Sequence, residues 1–123
     1  MDIDTDALTG MHYAAMALAG ISGIVHLVLG VSFLPHWMGF SFLVATGGFA
    51  AGIVAIATNQ YRRETYLLGI PFTLGQIVLW IALTHPEFVS NPGAIATIGP
   101  VEAIDKFAQI ALIAVLVALL RTE

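Results

Sequence analysis

The sequence predicts an all-α fold, an integral membrane four-helix bundle, and three observations carry that prediction. Charge is scarce: 59% of the 123 residues are hydrophobic, 10% are charged, and the mean hydropathy is +0.92. A soluble domain has about a quarter of its residues charged. The scarcity is also uneven, with no Asp, Glu, Lys or Arg over residues 7–61, 65–86 or 107–120. A chain this short has too little polar surface to hide such runs from water, whereas lipid removes the need to hide them. Finally, polar or Pro/Gly-containing breaks cut the apolar sequence into four stretches of about 20 residues, the length needed to cross a hydrocarbon core of about 30 Å.

The elements follow in order. Residues 1–10, "MDIDTDALTG", carry Asp2, Asp4 and Asp6 and read as a short acidic solvated tail. A secretory signal needs a basic start, so the first apolar run is expected to stay in the mature protein. Residues 11–123 read as a single domain with spans over about 11–34, 40–58, 66–84 and 101–120. "PHWMG" makes the first turn and "NQYRRET" the second. "HPEFVSNPGAIATIGP", with three prolines and two glycines, reads as a loop. Pro71 falls near the start of the third span and predicts a kink there.

Orientation follows the basic residues. Arg62 and Arg63 lie in the middle connection and Arg121 follows the last span, so three of the four basic residues share one side with both termini. That side is expected to be cytoplasmic in a multi-pass protein of the cell membrane. His36, Trp37, His85 and Glu87 then face outward.

Close packing between helices in lipid uses small residues. On the first span Ala15, Ala19, Ser22, Gly23, His26 and Gly30 fall near one helical face. The second carries a GxxxG at Gly48 and Gly52, flanked by Ala45 and Ala55, and the third carries Gly69, Thr73 and Gln76 on one stripe. These are the expected contact faces. His26 belongs to such a stripe and is therefore expected inside the bundle, because an ionisable group facing lipid costs several kcal/mol.

The last span, "VEAIDKFAQIALIAVLVALL", is polar in its first half and hydrocarbon in its second. His26, Gln76 and Gln109 each lie eight residues inside the outer end of their span, about 12 Å deep at the helical rise. Asp105 sits one turn above Gln109. Glu102 and Lys106 have the i, i+4 order that favours an ion pair. Together His26, Gln76, Glu102, Asp105, Lys106 and Gln109 make a candidate polar pocket in the outer leaflet. Each also has a plain structural role: Glu102 at a helix start after Gly99-Pro100, Lys106 reaching to the interface, the glutamines bridging helices. Because Asp105 and His26 tilt in opposite directions along the bundle axis, a water or Gln109 is expected to bridge them.

Several chemistries are disfavoured. Only His26 is well inside the membrane, so paired-histidine haem ligation is not expected. His36, His85 and Glu87 or Glu102 form a weak candidate metal set on the outer face, without tight spacing. There is no cysteine, and the net charge of −4 with one lysine and three arginines argues against a nucleic-acid partner. No P-loop, GxSxG, HExxH or dinucleotide fingerprint is present. The residues therefore favour a non-catalytic accessory or structural membrane component. A redox-linked protein holding a quinone or metal in the pocket comes second, and a proton-coupled small-solute carrier third. The expected partners are the bilayer and another membrane protein or a second copy of the chain.

The segments "GIVHLVLG", "RRETYLLGIPFTLGQIVLW" and "IDKFAQIALIAVLVALL" resemble those of uncharacterised small four-span membrane proteins of halophilic archaea. In span count and size the chain has a looser likeness to DoxX-like four-helix membrane proteins, some tied to quinone-linked respiration. The resemblance implies the four-span architecture and supplies no catalytic residues.

Overall fold

Thr9 opens the first helix: its N–H donates to Nδ1 of His12 at 3.0 Å, and its hydroxyl lies 2.9 Å from the same nitrogen. From there α1 runs over Gly10–Phe33. It stops before Pro35, where Leu34 takes the extended conformation that a following proline imposes. His36 caps the next helix by accepting the Met38 N–H on Nδ1 at 3.1 Å, so α2 begins at Trp37 and runs over Trp37–Ala57. The turn is thus shorter than the "PHWMG" segment implied, and Gly39 belongs to the helix. The computed structural model describes residues 9–58, 60–84, 87–91, 93 and 99–122. Most of the acidic tail, and His85, lie outside the described residues.

The connection from α2 to α3 passes through Tyr61 at φ 55°, a left-handed conformation that a tyrosine adopts at some cost. Arg62 follows, and its Nε and Nη2 both donate to the carbonyl of Ile56, at 2.9 and 2.7 Å. A cation at that carbonyl satisfies both the open acceptor and the negative end of the α2 dipole. Arg62 is therefore a buried cap and the first residue of α3, which spans Arg62–Thr84. Starting four residues earlier than the sequence implied, α3 carries Pro71 well past its first two turns rather than near its start, and the helix continues through it. Within the long last connection, α4 is a single turn over Glu87–Ser90. Pro100 then opens α5, Pro100–Thr122, at the first helical position, where a missing N–H leaves nothing unpaired.

Helices α1, α2, α3 and α5 are each long and apolar enough to cross a membrane. The chain is a multi-pass membrane protein built as an all-α four-helix bundle. Large apolar side chains such as Ile24, Val44, Leu68 and Phe107 stand exposed around its outside, which is the surface that lipid covers. Among the described residues there is no strand.

The helices form a ring in the order α1, α2, α3, α5. Helix α1 packs extensively on α2 and α5, and α5 also packs on α3, while α2 and α3 meet only sparsely. The α1–α2 contact is close because it is made at Gly30 and Gly39. A Cβ on Gly39 would lie 2.8 Å from the Gly30 carbonyl oxygen, and one on Gly30 would lie 2.8 Å from the Leu43 side chain. The inner face of α1 is His12, Ala15, Ala19, Ser22, Gly23, His26 and Gly30, so the small-residue stripe is its contact face. The GxxxG glycines of α2 instead lie toward α3, Gly48 against the Phe72 ring and Gly52 toward Thr65.

Both described ends of the chain and the α2–α3 turn lie at one end of the bundle, called here the termini end; the α1–α2 turn lies at the other, the Trp37 end. Ala15, Ala19, Phe49, Ile56, Tyr66, Leu112, Leu116 and Leu119 make one apolar cluster that fills the termini half. The buried face of α5 changes character along its length, from Asp105, Lys106 and Gln109 to Leu112, Leu116 and Leu119. The polar beginning of α5 therefore belongs to a different environment from its apolar remainder.

Candidate functional site

Toward the Trp37 end the four helices surround a cleft of about 330 Å³. Most of its wall is aromatic and aliphatic, including Leu29, Phe33, Trp37, Phe42, Leu79 and Trp80. His26, Gln76, Glu102, Asp105 and Lys106 supply its polar part. Helix pair α2 and α3, the sparsely packed seam, lines one side. Below the cleft the Phe49 and Phe72 rings close that seam, with centroids 5.2 Å apart and planes at 70°.

The polar side chains form one continuous network. Ser22 Oγ donates to Asp105 Oδ1 at 2.6 Å. Lys106 Nζ donates to Asp105 Oδ2 at 2.9 Å and to Gln109 Oε1 at 2.7 Å. Gln109 Nε2 donates to Ser22 Oγ at 3.2 Å and to Gln76 Oε1 at 2.9 Å. His26 Nδ1 lies 2.8 Å from the backbone oxygen of Ser22 and 3.9 Å from Asp105 Oδ1. Two ring contacts hold the imidazole: Phe42 edge-on at 5.5 Å and Phe49 at 5.8 Å.

This arrangement satisfies nearly every polar atom it buries. Gln109 is fully buried and uses its carbonyl oxygen and both amide protons. Two protons of Lys106 are taken by Asp105 and Gln109, and the ammonium lies 5.2 Å from the centre of the Trp80 ring, a cation–π contact. Asp105 receives one donor on each oxygen. A buried ion pair so provided for is tolerable in a low-dielectric interior, where an unpaired charge is not.

Four of the residues expected in the pocket, His26, Gln76, Asp105 and Gln109, do come together, with Asp105 one helical turn from Gln109. Two expectations change. Lys106 does not reach to the interface; it bends inward to its neighbour Asp105 and to Gln109, because these two acceptors already face the bundle interior. Ser22 links His26 to Asp105, where a water or Gln109 was expected: its carbonyl oxygen lies by the imidazole and its hydroxyl meets the carboxylate. Ser22 was visible in the sequence only as a small residue on a packing stripe, though its i, i+4 spacing to His26 was there to be read. Trp37 was readable only as a residue of the outward-facing first turn, and Trp80 carried no signal of its own.

Of the candidate metal residues, His85 lies outside the described residues. Among the described residues no three His, Asp or Glu side chains converge on one point; His36 is an exposed helix cap beside Trp37. The chain matches no protein-family model, no curated protein and no solved structure.

Proposed function

We propose that this chain is a non-catalytic component of the cell membrane, with both termini cytoplasmic, that holds a small lipophilic molecule by its polar head in the cleft at the Trp37 end. One observation carries this reading. A hydrogen-bonded polar network walls one side of a cleft whose remaining lining is apolar and aromatic, at a depth occupied by acyl chains. Such a pairing suits an amphiphile, since ligand pockets are mostly apolar with a few placed polar groups. The sparse α2–α3 seam offers a lateral way in from the bilayer. The orientation rests on Arg62, Arg63 and Arg121 lying together at the termini end.

The carrier reading is less well supported, because the Ala15, Ala19, Phe49, Leu112 and Leu116 cluster blocks the bundle below the network and leaves the cleft a dead end. The redox-linked reading remains as a special case: a quinone is one amphiphile whose head and tail match the two parts of the lining.

The test is to purify the protein in mild detergent, extract it with organic solvent, and identify and count bound lipophile by mass spectrometry and absorption. The wild type is expected to carry a defined small lipophile near one per chain, and Ala45→Trp, which fills the cleft from α2, is expected to lose it. Extracts that hold only bulk lipid, in equal amount for both proteins, would remove the proposal.

A further inference from the structure

We infer that the cleft selects a lipophile whose head is a hydroxyl group, an alcohol or phenol, because a buried amide donor without an acceptor, Gln76 Nε2, and the imidazole of His26 both belong to residues of its wall. This inference rests on the cleft being a ligand site, as proposed above, and adds which head group that site takes.

The donor follows from a chain of necessity. An ammonium only donates, so the Gln109 atom at 2.7 Å from Lys106 Nζ must be its carbonyl oxygen. That turns the Gln109 amide nitrogen to Gln76, whose facing atom must in turn be an oxygen. The Gln76 amide nitrogen is then directed away from the network. It is buried, meets no protein acceptor, and belongs to a residue that lines the cleft. A buried amide N–H without an acceptor is expensive.

The acceptor follows the same way. A backbone carbonyl only accepts, so His26 Nδ1, 2.8 Å from the Ser22 oxygen, carries the proton. In the neutral ring the other nitrogen, Nε2, then holds a bare lone pair. His26 also lines the cleft, and its rim contacts with Phe42 and Phe49 provide no donor to that nitrogen.

One hydroxyl satisfies both. Its oxygen accepts from Gln76 and its proton goes to His26 Nε2. A ketone, ester or ether answers Gln76 alone and leaves the imidazole lone pair desolvated. An ammonium can donate to His26 or to the carboxylates of the wall but accepts nothing from the Gln76 N–H. A carboxylate would bring its charge against that lone pair and beside Asp105 and Glu102. The apolar body of the ligand then lies along Phe33, Phe42, Trp37 and Trp80.

The chain has two tryptophans, Trp37 and Trp80, and both line the cleft, so intrinsic fluorescence reports its occupancy. We would titrate detergent-solubilised protein with 4-bromophenol and, at matched micellar concentrations, with 4-bromoanisole. The two share the heavy-atom quencher, and a methyl group in the anisole replaces the hydroxyl proton of the phenol. Saturable quenching by both is expected, with the phenol about tenfold tighter. In Gln76→Leu and in His26→Phe the phenol should fall to the anisole's affinity while the anisole is unchanged. If a variant also loses the anisole, its cleft has lost its shape, and the wild-type ratio decides alone. Equal affinity of the two probes for the wild type would overturn the hydroxyl inference and leave a binding cleft. Non-saturable quenching by both would overturn the cleft itself.

Discussion

The two halves of this bundle solve the same packing problem with different chemistry. At the termini end, Leu112, Leu116 and Leu119 of α5 meet Ala15, Ala19, Ile56 and Tyr66, and the buried His12 and Arg62 there bond to helix ends. At the Trp37 end the same face of α5 offers Asp105, Lys106 and Gln109, which meet Ser22, His26 and Gln76 around a cleft. In lipid, apolar side chains gain little by leaving the solvent, so the apolar half is held by van der Waals fit. The polar half is held by hydrogen bonds that have no alternative partner in hydrocarbon. A close-fitting half tolerates no void, whereas a network fixed by direct bonds can stand beside one. That difference explains why the cleft lies where it does.

Substitutions can break the comparison or sharpen it. The largest effect is expected for Lys106→Met, which leaves Asp105 as a buried carboxylate with Ser22 as its remaining donor. Loss of one partner of a buried pair costs about 3–5 kcal/mol. The double variant Lys106→Met with Asp105→Asn should recover most of it, because the unpaired charge is gone. Thermal unfolding in detergent measures both, and a double variant no better than the single would show that charge is not what the network balances.

Leu116→Ala is expected to cost less, about 2 kcal/mol, since in lipid the packing part of a large-to-small change remains and the transfer part does not. Leu116 touches the Gly69 region of α3, so the loss should loosen α3 against α5 while tryptophan fluorescence at the cleft stays as in the wild type. A shift in that fluorescence would mean that the halves are coupled rather than independent. The smallest effect is expected on the outer surface: Val44 is 73% exposed, and Val44→Ala should change stability by no more than about 0.5 kcal/mol.

How much of this could be read from the residues alone follows from what periodicity encodes. The four spans and the inner stripe of α1 depend on which positions share a helical face, and spacing states that directly. The common level of His26, Gln76 and Gln109 follows from counting residues along antiparallel helices. Periodicity says nothing about rotamers, and those decide the rest. Lys106 has four methylenes and reaches the interface or the interior equally well; it turns inward because Asp105 and Gln109 wait there. Ser22 looks like a spacer until a carboxylate from α5 arrives beside it. Arg62 reads as loop charge until the Ile56 carbonyl at the end of α2 appears next to it. Turn boundaries shifted for a similar reason, since His36 caps α2 through its own ring and so lets the helix start at Trp37.

The central claim is that side chains from α1, α3 and α5 bond to one another inside the bundle. A double-mutant cycle between Ser22→Ala and Gln109→Leu, read by unfolding in detergent, tests it most directly. The structure predicts a coupling of at least about 1 kcal/mol between these two positions, which lie on different helices and share a hydrogen bond. Strictly additive losses would mean that the two side chains do not meet, and the network and the cleft it walls would both be contradicted.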